Sequence, residues 1–178
     1  MTRVLVVGLM ATGKSTVGRA VSDVTGWPSV DNDMLLERST GQTAAQILAE
    51  QGEERLRAAE SDVLTVLVSM PGPLVAGVAA GTILDERDRE RIRTGGHVVW
   101  LQTSVATILR RVAKQGGRAW LGADPEAVLT TMTAQRSALY ASVADQVLDM
   151  DRLTPEQAAR LVVEAVPVDQ PGSWPPGS

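Results

Sequence analysis

A short aliphatic run, Val4-Leu5-Val6-Val7, stops at Gly8 and opens at once into Gly8-Leu9-Met10-Ala11-Thr12-Gly13-Lys14-Ser15. The segment matches G-x-x-x-x-G-K-[ST], a pattern that carries meaning when a strand precedes it and a helix follows. Both flanks are present, since Val17, Ala20, Val21 and Val24 continue at helical spacing as far as Gly26. A loop of this kind turns backbone N–H groups inward around a polyphosphate, and the next helix adds its positive end. This places a nucleotide's phosphates against Gly8, Ala11, Thr12, Gly13, Lys14, Ser15 and Thr16. Lys14 is expected to reach the β- and γ-phosphates of ATP, and Ser15 to help hold Mg²⁺.

The rest of the chain alternates between strand and helix signals. Further strands are expected at Trp27 to Val30, Leu74 to Ala79, His97 to Leu101 and Gln146 to Leu148. Helices are expected at Ala44 to Glu50, Glu53 to Leu67, Glu86 to Arg93, Val105 to Lys114, Pro125 to about Tyr140, and Pro155 to Ala165. Such alternation specifies an α/β fold, a three-layer α/β/α sandwich of the P-loop NTPase type around a mainly parallel five-stranded sheet. The aliphatic texture agrees: the chain has no Phe and one Tyr, and buried parallel strands read as Val- and Leu-rich runs.

The 178 residues suit a single domain, drawn here as 1–166. Within it, Gln115 to Asp124 is glycine-rich and polar enough to act as a lid. Residues 167–178 form a Pro-, Gly- and Ser-rich tail that is expected to be disordered. A net charge of −4 argues against nucleic acid as a partner. With no cysteine there are no disulfides or thiolate metal sites. No apolar run is long enough for a membrane span, and the start is too short for a secretory signal, so a cytoplasmic setting is expected. The phosphate loop alone leaves GTPases, motor ATPases and metabolite kinases open. An Asn-Lys-x-Asp guanine-reading motif is missing and the chain is short for a motor, which leaves a compact kinase, expected to be monomeric.

Asp31 and Asp33 alternate at the carboxyl end of the second strand, where ligands of open α/β sheets bind. One carboxylate could serve Mg²⁺ and the other a hydroxyl proton. Equally, both could be turn-forming or helix-capping acids.

From about Val4 to Val163 the chain resembles the shikimate kinase family. The likeness rests on the loop Gly8 to Thr16, on Val30-Asp31-Asn32-Asp33 before a short helix, and on Thr40-Gly41 leading to Gly52-Glu53-Glu54, Leu56-Arg57 and Glu60. It continues in Gly96-His97-Val98-Val99-Trp100-Leu101, Arg118-Ala119-Trp120-Leu121 and Arg136-Ser137-Ala138-Leu139-Tyr140. The resemblance implies that Asp33 binds the acceptor hydroxyl and guides its proton, and that Asp31 sits near Mg²⁺. It implies that Arg57 and Arg136 grip the shikimate carboxylate, that Arg118 closes over the phosphates, and that Arg110 and Pro155 flank the adenine. Read without it, Arg57 and Arg136 are solvated helix charges. Arg118 has separate support from its place beside Gly116-Gly117 in the lid. Arg110 and Arg111 are neighbours on a helix, so one of them is expected to face solvent.

The family carries three glycines after its third strand, whereas this chain reads Gly77-Val78-Ala79-Ala80-Gly81-Thr82. Either Gly77 or Gly81 is then expected to take the place where the backbone closes on the acceptor, since only glycine lacks a Cβ. Ala119-Trp120 likewise stands where the family has Pro-Leu. These departures keep open a kinase acting on another small hydroxylated acceptor, such as an antibiotic or a sugar acid, and a catalytically silent nucleotide-binding regulator. His97 is assigned an ordinary sheet-edge role and the scattered Met residues a packing role. The run Arg87-Asp88-Arg89-Glu90-Arg91 is expected to be a solvated helix face.

Overall fold

The structure is a computed structural model, and it describes residues 2–114 and 121–166. Among these residues the strands are β1 (Arg3–Val7), β2 (Ser29–Asp31), β3 (Leu74–Gly77), β4 (His97–Gln102) and β5 (Gln146–Asp149). The helices are α1 (Lys14–Thr25), α2 (Asn32–Thr40), α3 (Ala44–Ser69), α4 (Glu86–Gly95), α5 (Val105–Lys114), α6 (Pro125–Val143) and α7 (Pro155–Ala165). The sheet runs β2-β3-β1-β4-β5 and every pairing is parallel.

The side-chain period of two explains how one sheet supports two cores. Leu5 and Val7 of the central strand β1 face one side, with Leu74, Ala76, Val98 and Trp100 of its neighbours, against Leu64 and Leu67 of α3 and Ile92 of α4. Val4 and Val6 face the other side, with Val75, Val99 and Leu101, against Val17 and Val21 of α1 and Ala158, Ala159 and Val162 of α7. A third, smaller cluster of Leu36, Ile47, Leu56, Ala59 and Val63 joins α2 to α3 apart from the sheet.

Most expected boundaries agree with the structure to within a few residues, and the differences have local causes. Pairing in β2 begins at Ser29 rather than Trp27, because Pro28 has no N–H to give the ladder. Trp27 is instead buried in the second core. β3 ends at Gly77, two residues early, since the chain turns into a 3₁₀ turn at Thr82–Leu84. Gly52, at the non-helical φ 85° and ψ 175°, breaks the span α3 into the two helical pieces expected on either side of it. The alternating run on α4 is not wholly solvated. Asp88 is buried and accepts hydrogen bonds from Ser61 Oγ at 2.8 Å and Arg91 Nη1 at 2.6 Å, which pins α4 to α3. His97 begins β4 at the amino edge of the sheet, away from the phosphate loop.

Candidate active site

The loop Gly8 to Gly13 leaves the carboxyl end of the central strand and wraps into α1. Gly8 and Gly13 have φ of 147° and 103°, and Ala11, at φ 56°, is the only non-glycine residue with positive φ among the described residues. Holding an L-residue there costs roughly 1–2 kcal/mol, strain of a kind that accumulates at ligand-binding loops.

The start of α1 is chemically distinct. Side chains of Asp31, Thr43, Asp85, Asp124 and Thr154 cap α2, α3, α4, α6 and α7, and Ser104 Oγ accepts from Thr107 N–H in α5. Helix α1 starts at Gly13 with no side-chain cap. Its first N–H groups therefore face outward without an intrahelical acceptor, as a bound phosphate requires. Ser15 and Thr16 are exposed there. The Lys14 ammonium lies across the loop, donating to Gly8 O at 2.9 Å and Leu9 O at 2.8 Å.

Sheet register gathers the next residues. Gly77 pairs with both Val6 and Asp31, and a Cβ at Gly77 would lie 3.6 Å from Lys14 Cβ. Asp31 therefore sits one strand spacing beyond the point where β3 meets the lysine. Its carboxylate caps α2 by accepting from Asp33 N–H at 2.8 Å through one oxygen, Oδ1. Asp33 occupies the exposed first turn of the same helix.

Past Gly77 the chain brings α3 and α6 together. Arg57 donates to Glu60 at 2.6 Å and to Glu53 at 2.9 Å, and Arg136, on α6, donates to the Ala80 carbonyl at 3.2 Å. The Tyr140 hydroxyl donates to that same carbonyl at 3.1 Å. The Nε of Arg57 and that of Arg136 are both buried without a hydrogen-bond partner. Burial lifts the Glu60 carboxyl above its usual range, and the neighbouring Arg57 partly offsets this, while Asp33 raises it further. Burial also depresses the Arg136 guanidinium, although the nearby Tyr140 opposes that shift. A buried and a half-buried guanidinium thus share only one close, buried carboxylate, which leaves positive charge that an added anion could balance.

Of the two glycines in this segment, Gly81 is the one packed directly against side-chain ends of the arginine and its carboxylate partner. A Cβ at Gly81 would collide with the Arg57 guanidinium and come within 2.5 Å of Glu60 Oε2, whereas the Gly77 contact is ordinary packing. Val78 is buried, and Ala79 and Ala80 are half-buried.

Thr16 and Pro155 line one shallow cavity of about 250 Å³ between α1 and the start of α7. Arg110 does not line it; its exposed side chain donates to Thr107 Oγ1 at 2.8 Å. Its neighbour Arg111 is the half-buried one and bonds the phosphate loop. Helical period could have shown this, since Arg111 follows the buried Thr107 and Ile108 by four and three positions. Glu60 was legible as an i,i+3 partner of Arg57. Arg118, Trp120 and most of the lid, like the tail 167–178, lie outside the described residues.

A parallel sheet with a phosphate loop after its central strand, beside a carboxylate pair and an arginine pair, defines the class of P-loop small-molecule kinases. The comparisons agree: the family model for shikimate kinase matches residues 10–167, and the chain belongs to the shikimate kinase family. A shikimate kinase of Xanthomonas euvesicatoria pv. vesicatoria (strain 85-10) is 38% identical over 160 residues, covering 89% of this chain and 88% of the relative. One from Thermobifida fusca (strain YX) is 35% identical over 164 residues, covering 92% and 94%. Among solved structures, shikimate kinase from Acinetobacter baumannii in complex with shikimate superposes with a TM-score of 0.86 at 31% identity, covering 92% of each chain. A sugar kinase from Janibacter sp. HTCC2649 shares the fold at a TM-score of 0.62 and 20% identity.

Proposed function

We propose that this chain transfers the γ-phosphoryl group of ATP, taken with Mg²⁺, to a hydroxyl group of shikimate. The reading is carried by Asp33, Arg57 and Arg136 gathered around the buried Glu60, together with the uncapped start of α1, whose Lys14 packs against Gly77 at the end of β3. Arg57 and Arg136 hold the acceptor carboxylate and Asp33 orients the attacking hydroxyl and receives its proton. Gly8 to Thr16 seat the phosphates, Lys14 leaves its carbonyl partners for the β- and γ-oxygens, and Arg118 closes over them.

The residues present suit Mg²⁺. Among the described residues no three carboxylates or histidines gather into a protein-only metal cage. Magnesium instead prefers one or two protein groups together with water and phosphate oxygens, and Ser15 and Asp31 stand at that edge of the sheet. The ion supplies neutralisation of the phosphate charge. We propose a cytoplasmic monomer; sedimentation would test the oligomeric state.

The direct test is ADP release by purified protein with MgATP, with and without shikimate. Release that depends on shikimate is the expected result. Release with a different hydroxylated acid alone, or in the absence of any acceptor, overturns the assignment. A substitution probes the segment where the chain lacks the family's three glycines. Gly81→Val should push the Arg57 guanidinium off Glu60 and raise the acceptor KM by roughly tenfold to a hundredfold, with the KM for ATP unchanged. An unchanged acceptor KM would show that Arg57 does not need its present position.

A further inference from the structure

We propose that Asp88 is a positioning residue for the acceptor site, acting through a circuit of contacts that links α4 to Arg57, Glu60 and Arg136. Two neighbouring members of the alternating run on α4, Asp88 and Arg89, bond inward rather than to solvent. Asp88 is 2% exposed and accepts at Oδ1 from Ser61 Oγ at 2.8 Å and from Arg91 Nη1 at 2.6 Å. Arg91 Nη1 closes the triangle by donating to Ser61 Oγ at 3.2 Å. Water has little access to a carboxylate so enclosed, so its protein partners are held to one arrangement.

Ser61 connects this triangle to the site. It follows Glu60 directly and stands one helical turn after Arg57, in the long second piece of α3. Apolar packing is non-directional, whereas a hydrogen bond fixes an angle. The Ser61 bond therefore sets the rotation of α3 about its own axis, and with it the place where Glu60 holds the Arg57 guanidinium. Arg89 secures the opposite wall. Its Nη1 donates to Ile83 O at 2.9 Å and Leu84 O at 3.0 Å, in the 3₁₀ turn that follows Gly81. Just before that turn, Gly81 lies against Arg57 and Glu60, and Ala80 O accepts from Arg136. Adjacent residues of α4 thus grip α3 and the Gly81 segment, so their spacing along one rigid helix sets the separation of the two arginines.

This inference rests on the acceptor reading above, and the controls separate the two. The KM for shikimate, the KM for MgATP and kcat are measured for the unsubstituted chain, Asp88→Ala, Asp88→Asn and Ser61→Ala, well below each protein's unfolding midpoint. No shikimate-dependent turnover by the unsubstituted chain would overturn the kinase reading, and this inference with it. Where turnover is present, Asp88→Ala should raise the shikimate KM roughly tenfold or more and leave the KM for ATP unchanged. Asp88→Asn keeps an oxygen for Ser61 and Arg91 and should restore most of the affinity. Ser61→Ala should raise the shikimate KM by roughly fivefold, the usual worth of one hydrogen bond. In the double variant Ser61→Ala/Asp88→Ala the two effects should not multiply, because both remove the same bond. A merely structural role gives a different pattern: less folded protein lowers the apparent kcat and moves neither KM. That pattern would overturn the proposal. So would a rise in both KM values, multiplying effects in the double variant, or an Asn variant as impaired as the Ala variant. Should Asp88→Ala not fold, Ser61→Ala is judged by the same split: a raised shikimate KM alone supports the proposal, and an unchanged one, or a rise in both, overturns it.

Discussion

Asp33→Ala is expected to stop phosphoryl transfer while the protein still binds MgATP. The residue stands in the exposed first turn of α2, and its carboxylate makes no hydrogen bond or ion pair among the described residues. It is close enough to the buried Glu60 to raise that carboxyl. A carboxylate without structural partners can be removed at little cost to the fold, because the α2 cap belongs to Asp31. A positioned proton acceptor contributes roughly 10²–10⁴ in rate, and loss of acceptor alignment adds to that. The measurement is kcat at saturating ATP and acceptor, beside the dissociation constant for ADP. Turnover equal to that of the unsubstituted chain would remove Asp33 from the chemistry.

Arg136→Met should weaken acceptor binding by about 2–5 kcal/mol, the usual loss when one partner of a buried charge pair is truncated. The KM for ATP should not move. Stability offers an independent readout. In the free protein Arg136 is buried, its Nε has no partner, and its guanidinium is held by the Ala80 carbonyl, which Tyr140 also serves, and by the Tyr140 hydroxyl itself. Replacing a buried cation with a methionine of similar length therefore leaves thermal stability equal or raised. Unchanged acceptor affinity, or a large loss of stability with no kinetic change, would make Arg136 a structural residue.

How far these sites could be read in advance differed from residue to residue. The loop at Gly8 to Ser15 needed only its own pattern and two flanks, because its function resides in backbone geometry set by nearby glycines. Asp31 and Asp33 were narrowed to two roles, and the structure shows Asp31 capping α2 while it stands at the sheet edge, so one role does not exclude the other. The arginines were harder. Nothing local separates Arg57 from Arg55, or Arg136 from a solvated charge, since a residue's burial depends on which distant element covers it.

Local signals account for the strands, most helix ends and the phosphate loop, because hydrogen bonding, capping and side-chain period act over a few residues. Packing alone settled that Gly81 rather than Gly77 meets Arg57, that Arg111 rather than Arg110 grips the loop, and that Asp88 is buried. Each of those outcomes depends on contacts between residues far apart in the chain, which exist only once helices α3, α4, α5 and α6 are seated on the sheet.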